Sequence, residues 1–342
     1  MNNIKSIFVA ILAFSFAFIA GACDDTSKKE SGSAQFKFGT VEIPQLTGAL
    51  CGATFYIAKE KGFFAEEGID AKFIAADSET RKLGLSKGTY PVASGDFQFF
   101  QAIENGVDIK IADGVHVGCV KIIVKKGSPI KAAADLKGKK IAVDEIGGTP
   151  HQVAALWLSL EGISAKPEDG QVTFLPYSDG NLSVEALKQG QVDAIAIWDP
   201  LGSAKVKAGE AEVLLNIASD HVFNGRYCCF LYISAKVYKE NPAKIAALLR
   251  ALHKADAWIS EHPEETVDII VEGKYSDIAD RDLAIDLIKE YSFVSKEKQK
   301  ELGRNAKADI KFFAEQLNKI GYLNKEAEQF TNDLFVDVDL NQ

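Results

Sequence analysis

Four cysteines in the middle of the chain carry the most specific chemistry that the sequence offers. They are Cys51, Cys119, Cys228 and Cys229. An even number of cysteines in an exported protein commonly forms structural disulfides. Free thiolates would instead bind a soft ligand, such as a heavy-metal ion, an organometallic compound, or a sulfur, selenium or arsenic species. The residue types alone leave both alternatives open, together with a simpler one in which the cysteines are small buried hydrophobes.

The N-terminus decides which redox compartment these cysteines meet. It has one basic residue, Lys5, and then an apolar run over 7–20 that is shorter than the roughly 20 residues of a membrane span. The run ends Ala-Gly-Ala before Cys23, which resembles the bacterial lipobox, whose cysteine is acylated. We predict a signal peptide over 1–22, lipidation of Cys23 and a polar, flexible tether over 23–35.

The protein is therefore expected to be exported and anchored to the membrane by Cys23, facing the periplasm or the cell exterior. One alternative stays open, because Ala-Gly-Ala also suits the ordinary signal peptidase, which would cut the same bond without adding lipid. The residues that follow are enough for two medium-sized domains. A formal net charge of -9 argues against nucleic acid as a partner.

The cysteines must be positioned by elements whose periodicity alternates between strand and helix. Short strands separated by short helices extend from Phe36 to about Ser234, and this order predicts an α/β protein with mostly parallel sheets. A first unit ends near Val124, and a second begins near Lys139. After Ser234 the pattern turns helical and stays largely helical to the C-terminus, with the longest predicted helix over 242–260.

Candidate ligand-binding residues follow from where loops leave the strands. In open α/β sheets, ligands bind outside the carboxyl ends of the strands, at the loops that begin the helices. Four segments occupy such places: 45–54, 94–96, 147–151 and 198–200. Besides Cys51, the candidate residues in them are Thr47, Ser94, Asp96, Gly148, Thr149, His151 and Asp199.

Two of these segments have a structural alternative. Thr149 could cap a helix that begins at Pro150, and the free N–H groups of such a helix start bind anions. The same Gly-Gly-Thr-Pro sequence could be only a turn with a good cap, and a lone histidine such as His151 is more often structural. Asp199 could bind a ligand amine or a metal, or it could cap a turn.

Several motifs occur in an order that resembles one family of binding proteins. They lie at 57–70, 135–143, 186–194, 198–200 and 231–242. Their order is similar to that of the nitrate/sulfonate/taurine solute-binding family, which includes the thiamine-pyrimidine (THI5/NMT1-like) proteins.

The resemblance implies a periplasmic-binding-protein fold of the second type, with two lobes and a ligand in the cleft between them. Lobe 1 would comprise 36–117 and 229–342, including the C-terminal helices, and lobe 2 would comprise 118–228. It also implies a monomer that delivers a small molecule to the permease and ATPase subunits of an ABC importer, without a cofactor.

The resemblance places the four cysteines at one cleft. Cys51 lies in the first ligand loop, Cys119 at the first crossing between lobes, and Cys228 and Cys229 at the return crossing. Neighbouring residues of a strand point to opposite faces, so only one of the last two is expected to face inward. The metal-binding hypothesis names Cys51, Cys119 and Cys228, and which of Cys228 and Cys229 faces the cleft stays open. The alternative is an ordinary nitrate, sulfonate, taurine or pyrimidine binder with cleft disulfides, such as Cys51 to Cys119.

An enzyme of the thiamine-pyrimidine type is the alternative from a different class. The sequence Tyr-Cys-Cys-Phe over 227–230 resembles a reduced form of the cysteine cluster of those synthases. They also use a lysine that forms a Schiff base, and this chain has Ser94-Gly95-Asp96 followed by Phe99 and Phe100 where that lysine and its histidine would fall. We therefore predict that the protein is not an enzyme.

Overall fold

The computed structural model of the protein describes residues 36–45, 48–220, 222–276 and 278–342. The predicted signal peptide, Cys23, the tether up to residue 35 and the candidate Thr47 lie outside the described residues. Within the described ranges, no helix combines the length and the apolar character that crossing a membrane requires.

The described residues form ten strands. These are β1 (Thr40–Gln45), β2 (Asp70–Ala75), β3 (Val92–Asp96), β4 (Ile109–His116), β5 (Val120–Lys125), β6 (Lys140–Val143), β7 (Thr173–Pro176), β8 (Ala194–Trp198), β9 (Ala211–Asn216) and β10 (Cys229–Ser234).

Fourteen α-helices accompany them in the same part of the chain. The first seven are α1 (Ala53–Glu60), α2 (Phe63–Glu66), α3 (Ser78–Lys87), α4 (Phe99–Glu104), α5 (Thr149–Leu160), α6 (Gly180–Lys188) and α7 (Leu201–Lys207). The other seven follow β10: α8 (Ala235–Glu240), α9 (Pro242–Glu261), α10 (Pro263–Glu272), α11 (Arg281–Tyr291), α12 (Lys296–Glu301), α13 (Ala306–Lys319) and α14 (Ala327–Leu334).

The strands divide into two groups, which we call lobe 1 and lobe 2. Lobe 1 contains a parallel β1-β2 pair and a three-stranded sheet in the order β3-β10-β4. Lobe 2 contains one five-stranded sheet in the order β7-β6-β8-β5-β9. The chain crosses from lobe 1 to lobe 2 between β4 and β5, and it returns between β9 and β10.

The expectation of mostly parallel sheets is wrong for the strands at the crossings. Strand β10 is antiparallel to both β3 and β4, and β5 is antiparallel to both β8 and β9. Parallel neighbours require a long crossover connection within the same sheet. Strands β5 and β10 each enter a sheet from the other lobe, so no such connection fixes their direction.

The long C-terminal helix α9 shows how local sequence sets the helical region. It starts at Pro242, whose fixed φ suits the first helical position, and the Asn241 side chain accepts a hydrogen bond from the Lys244 N–H. Its fully buried face, with Ile245 and Leu252, packs against the helices of lobe 1. The helix predicted over 242–260 is confirmed.

Candidate functional site: a cysteine and histidine cluster at the crossings

The two crossings lie side by side because β10 pairs with β4. Cys229, the first residue of β10, is in register with His116, the last residue of β4. The Cys228 N–H donates a hydrogen bond to the His116 carbonyl at 3.2 Å. Only Val117, Gly118 and Cys119 separate β4 from β5, so Cys119 stays close to both.

Three thiols and one imidazole meet at this point. The Sγ of Cys119 lies 3.5 Å from that of Cys228 and 3.9 Å from that of Cys229, and the last two are 3.7 Å apart. One ring nitrogen of His116 and the three Sγ atoms all lie within 4.8 Å of one another. The exposed fractions are 0% for His116, 1% for Cys119, 3% for Cys228 and 6% for Cys229.

The expectation that Cys228 and Cys229 point to opposite faces is wrong. Both Sγ atoms belong to the cluster. Cys228 precedes β10, and the register of β10 against β4 shifts directly after Cys229. Regular alternation of side chains therefore does not begin until Phe230.

Cys51 lies beside the cluster and is half-buried. Its thiol is close enough to the side chains of Cys119, Cys229 and His116 to interact with all three. All four cysteines of the described residues are free. The nearest sulfurs of the cluster, those of Cys119 and Cys228 at 3.5 Å, are well beyond the bond length of a disulfide.

The orientation of His116 leaves one ring nitrogen available. Its Nδ1 lies 3.1 Å from the Val117 carbonyl, which can only accept a hydrogen bond, so Nδ1 carries a proton. Its Nε2 is buried and has no hydrogen-bond partner among the described residues. The ring stacks on Tyr291 with centroids 5.0 Å apart.

His116 is a member of the cluster that is absent from the ligands predicted from the sequence. The available signal was its position three residues before Cys119, at the first crossing. That spacing acquires meaning only once β4 is known to pair with β10.

The backbone at Cys119 is unusual. Its φ is +82°, in the left-handed region that side chains with a Cβ rarely adopt, and the preceding Gly118 has the same φ. A Cβ on Gly118 would lie 2.8 Å from the Cβ of Ala218, so glycine is required there. Strained backbone of this kind costs about 1–3 kcal/mol and is concentrated at functional sites.

The surroundings of the three thiols shift their pKa values in different directions. Hydrogen bonds from Cys119, Cys228 and Cys51 hold the pKa of the Cys229 thiol well below its usual range. Burial raises the pKa values of Cys119 and Cys228. Burial lowers the pKa of His116, but the charges of Cys229 and Cys51 together with hydrogen bonding to Cys228 and Cys229 raise it, and the net shift is upward. The neighbouring proton donors therefore favour the ionised form of the buried Cys229 thiol, and a cation in their place would favour it too.

A direct contact joins the two lobes near this cluster. The Thr149 hydroxyl of α5 donates a hydrogen bond to the carboxylate of Asp96, at the end of β3, over 2.7 Å. Asp96 also accepts from the backbone and side chain of Gln98. Burial raises the pKa of Asp96 to about 6.

The structure corrects the capping prediction for Thr149 and shows the position of Ser94. Helix α5 already includes Thr149, its N-cap is Gly148, and no side chain caps it. The Thr149 hydroxyl cannot cap because it is bound to Asp96. Ser94 lies within β3 rather than in a loop, and its carbonyl accepts a hydrogen bond from the Arg81 guanidinium at 2.6 Å.

His151 lies apart from the cluster, beside a different cavity. Its Nδ1 accepts hydrogen bonds from the Gly147 N–H and the Tyr322 hydroxyl, each at 2.8 Å. Burial lowers its pKa to about 4. His151 and Tyr322 line a cavity of about 500 Å³ between α5, β7 and the segment after α13.

Asp199 is occupied by structural contacts. Its two carboxylate oxygens accept from the Lys121 ammonium and from the Ser203 N–H at the start of α7, and its side chain is fully buried. Lys121 also pairs with Glu290 at 2.8 Å, which ties lobe 2 to α11. Of the two alternatives for Asp199, the contacts favour the cap.

Comparison with models of known protein families identifies the family of this chain. The model described as NMT1/THI5 like matches residues 52–266, which is more than half of the chain. The chain belongs to the NMT1/THI5-like family. The matched range contains His116, Cys119, Cys228 and Cys229, whereas Cys51 lies one residue before it.

Curated relatives of this NMT1/THI5-like chain are named as binding proteins. A Bacillus subtilis protein named for binding aliphatic sulfonates is 30% identical over 239 residues, which cover 66% of this chain and 66% of that protein. An Escherichia coli protein with the same kind of name is 35% identical over 167 residues, or 46% of this chain and 49% of that protein. The match thus spans just under two thirds of the first relative's length and about half of the second's.

Solved structures show the fold of this NMT1/THI5-like chain. The alkanesulfonate-binding protein SsuA of Xanthomonas axonopodis pv. citri, bound to MOPS, superposes with a TM-score of 0.64 at 19% identity. The superposition covers 84% of this chain and 95% of that one. The predicted two-lobe periplasmic-binding-protein fold is confirmed, and the curated relatives agree with the prediction that the chain is not an enzyme.

Proposed function

We propose that the protein is the substrate-binding component of an ABC importer, exported and held at the membrane by lipidated Cys23. The curated relatives support this role, since both are named as binding proteins. The N-terminal signal supports export. The partners would be a permease and an ATPase subunit, and the binding protein would act as a monomer.

The solute would be captured by closure of the lobes. A ligand that touches both lobes stabilises the closed arrangement, and the crossings near Val117 and Asn224 would act as hinges. Support comes from the Thr149 to Asp96 hydrogen bond, which is a contact that can exist only while the lobes are together. In this proposal the lobes have the predicted bounds, 36–117 with 229–342 and 118–228.

The proposed solute is thiophilic: a heavy metal, an organometallic, or a sulfur, selenium or arsenic species. One observation carries this proposal, namely the three Sγ atoms within 3.9 Å of one another at the crossings. Sulfur donors select soft acceptors. A site for an oxyanion would be built from hydroxyl, amide and guanidinium donors.

An aliphatic sulfonate is the second candidate, because both curated relatives are named for it. One feature of the lobe contact disfavours it. The buried Asp96 carboxylate, with a pKa of about 6, is charged at neutral pH and would repel an anion placed between it and Thr149.

The thiamine-pyrimidine synthase alternative has less support. Residues 94–96 lie in and at the end of β3, and none of them offers the amine that a Schiff base needs. The cysteines that resemble the synthase cluster are held at a lobe crossing, together with His116.

The test is a ligand screen by thermal stabilisation of the reduced, mature protein. The panel contains Hg(II), an organomercury compound, arsenite, taurine, an alkanesulfonate, nitrate and a pyrimidine. The proposal expects stabilisation by at least one thiophilic compound, with loss of the effect in a Cys119→Ala/Cys228→Ala/Cys229→Ala variant. Stabilisation by the alkanesulfonate alone, unchanged in that variant, would overturn the thiophilic solute and leave the importer role.

A separate experiment addresses the membrane anchor. The full chain is expressed in a bacterial host, and its membrane and soluble fractions are compared with those of Cys23→Ala. Lipidation predicts a mass increase on the N-terminal peptide and release of the variant from the membrane. An unmodified peptide that begins at Cys23 would instead show ordinary signal-peptidase processing.

A further inference from the structure

We infer that Cys119, Cys228, Cys229 and His116 form a four-ligand site for a bare divalent thiophilic metal ion of the zinc, cadmium and mercury group. The inference rests on the proposed thiophilic solute and specifies its class. It also replaces Cys51, one of the three ligands predicted from the sequence, by Cys229 and His116.

The spacing of the sulfurs fits a metal at their centre. A tetrahedral ion with zinc–sulfur bonds of about 2.3 Å holds its sulfur ligands about 3.8 Å apart. The three observed separations are 3.5, 3.7 and 3.9 Å. Only small shifts of the thiols would therefore be needed to bind the ion.

His116 is already oriented as a metal ligand. Histidines that bind metals commonly donate the N–H of one ring nitrogen to a carbonyl or carboxylate, which fixes the ring and leaves the other nitrogen for the metal. Here Nδ1 donates to the Val117 carbonyl, and Nε2 has no hydrogen-bond partner within the described ranges. A buried nitrogen with no partner is costly, and a metal bond would satisfy it.

The charge balance favours a divalent ion. Three thiolates and a divalent cation leave one net negative charge, whereas a monovalent cation would leave two. The Arg81 guanidinium is 2% exposed, and its charge interacts favourably with Asp96 first and then with Cys229 and Cys51. Because Arg81 is shared with Asp96, the complex with the smaller net charge is the less costly one to bury.

The space favours a bare ion over an organic ligand. The three sulfurs are in mutual contact, and all four ligand residues are at most 6% exposed. The centre of such a cluster accommodates one atom. A carbon group attached to the metal would have to displace a sulfur, the imidazole or the packed Tyr291 ring.

Binding is an exchange of protons for the metal. Each of the three thiols that still carries a proton releases it to solvent as its sulfur bonds to the ion. A protonated His116 ring likewise releases its Nε2 proton to solvent, and the nitrogen then binds the ion through the lone pair that this frees. No electron is transferred and no oxidant is needed. Because the ligands come from both crossings, the bound ion would link the two hinge segments to each other.

The experiment titrates Zn(II) alone and Cd(II) alone into the reduced, metal-free mature protein. We expect one ion per chain and an affinity at least about 100-fold lower in Cys119→Ala and in Cys229→Ala. Cys51→Ala should stay within about tenfold of the wild type, because Cys51 is not a ligand in this site. Circular dichroism checks that each variant is folded.

A measurement on the unaltered protein covers the case in which the variants do not fold. A thiol reagent is applied with and without Cd(II), and the labelled peptides are identified by mass spectrometry. Protection of Cys119, Cys228 and Cys229 supports the site. Equal labelling of these three in the presence and absence of Zn(II) and Cd(II) overturns it.

The outcomes separate this inference from the proposed function. If arsenite or an organomercury compound stabilises the protein while Zn(II) and Cd(II) neither bind nor protect thiols, the thiophilic solute stands and the metal-ion site is wrong. If no thiophilic compound binds, both are wrong. Binding of Zn(II) that survives loss of all three thiols also overturns the site.

Discussion

Two buried histidines of this protein mark two regions with opposite character. His116 lies at the lobe crossings with three thiols, and its Nε2 has no hydrogen-bond partner among the residues described. His151 lies at the start of α5, where its Nδ1 accepts from Gly147 and Tyr322. Both side chains are at most 6% exposed, so burial alone does not distinguish them.

The difference shows how a ligand position can be separated from a structural one. Buried polar atoms are normally hydrogen-bonded, and one that is not requires an explanation. At His116 a bound metal ion would satisfy the buried nitrogen, whereas at His151 the protein itself supplies the hydrogen-bond partners. The two histidines therefore differ in whether a buried ring nitrogen has a hydrogen-bond partner and in which side chains surround it.

The largest expected effect is loss of the three thiols. In Cys119→Ala/Cys228→Ala/Cys229→Ala, we expect Cd(II) affinity to fall by about 1,000-fold or more, because one nitrogen cannot hold the ion in a water-free site. Isothermal titration with a competing chelator measures the change. If this variant kept the wild-type affinity for Cd(II), the ion would not bind at the crossings.

The next effect compares the two histidines directly with matched variants. Asparagine retains a polar atom at the Nδ1 position and removes Nε2. We expect His116→Asn to weaken Cd(II) binding by about 10- to 100-fold, since one ligand is lost while the hydrogen bond to Val117 can remain. His151→Asn should change the affinity less than threefold by the same titration. Similar losses in both variants would contradict the comparison.

The third expected effect is the pH dependence that His151 gives to the free energy of unfolding. Burial lowers its pKa from 6.5 to about 4, so between these values the unfolded chain binds a proton that the folded protein does not. Its contribution to the free energy of unfolding is therefore complete above pH 6.5 and falls as the pH drops towards 4, by about 2 kcal/mol between pH 7 and pH 5.

His151→Asn removes this dependence. Relative to the wild type, the variant should gain about 2 kcal/mol on going from pH 7 to pH 5, as measured by urea unfolding at both pH values. An unchanged difference between variant and wild type at the two pH values would mean that His151 titrates normally.

The smallest effect is on the contact between the lobes. Thr149→Val removes the hydroxyl that donates to Asp96 and nearly preserves side-chain shape. We expect the free energy of unfolding to fall by about 1.5 kcal/mol, the low end for a hydrogen bond to a charged group, because Asp96 keeps its two bonds from Gln98. Cd(II) affinity should stay within threefold of the wild type. A large loss of affinity would show that the metal site depends on this contact rather than on the crossings alone.

The fold was predictable from the sequence because periodicity and order are local signals. Three signals can be read without knowing which strands pair. They are the alternation of strands and helices, the Asn241-Pro242 start of α9 and the order of the motifs. The directions of β5 and β10 were not predictable in the same way, because each strand joins a sheet of the lobe that the chain has just entered.

The candidate site was predictable only in part. The positions of Cys51, Cys119, Cys228 and Cys229 along the chain suggested that they meet. The place of His116 and the shared orientation of Cys228 and Cys229 depend on the register of β10 against β4 and on its irregularity after Cys229. Register is set by long-range pairing, which a single sequence does not display.

X-ray absorption spectroscopy of the zinc-loaded protein decides whether the cysteine cluster holds the ion, because it reports the atoms bound to the metal. We expect three sulfur ligands at about 2.3 Å and one nitrogen ligand at about 2.0–2.1 Å, with one nitrogen fewer in His116→Asn. A spectrum with only nitrogen and oxygen ligands would contradict the proposal that the cysteine cluster binds the ion.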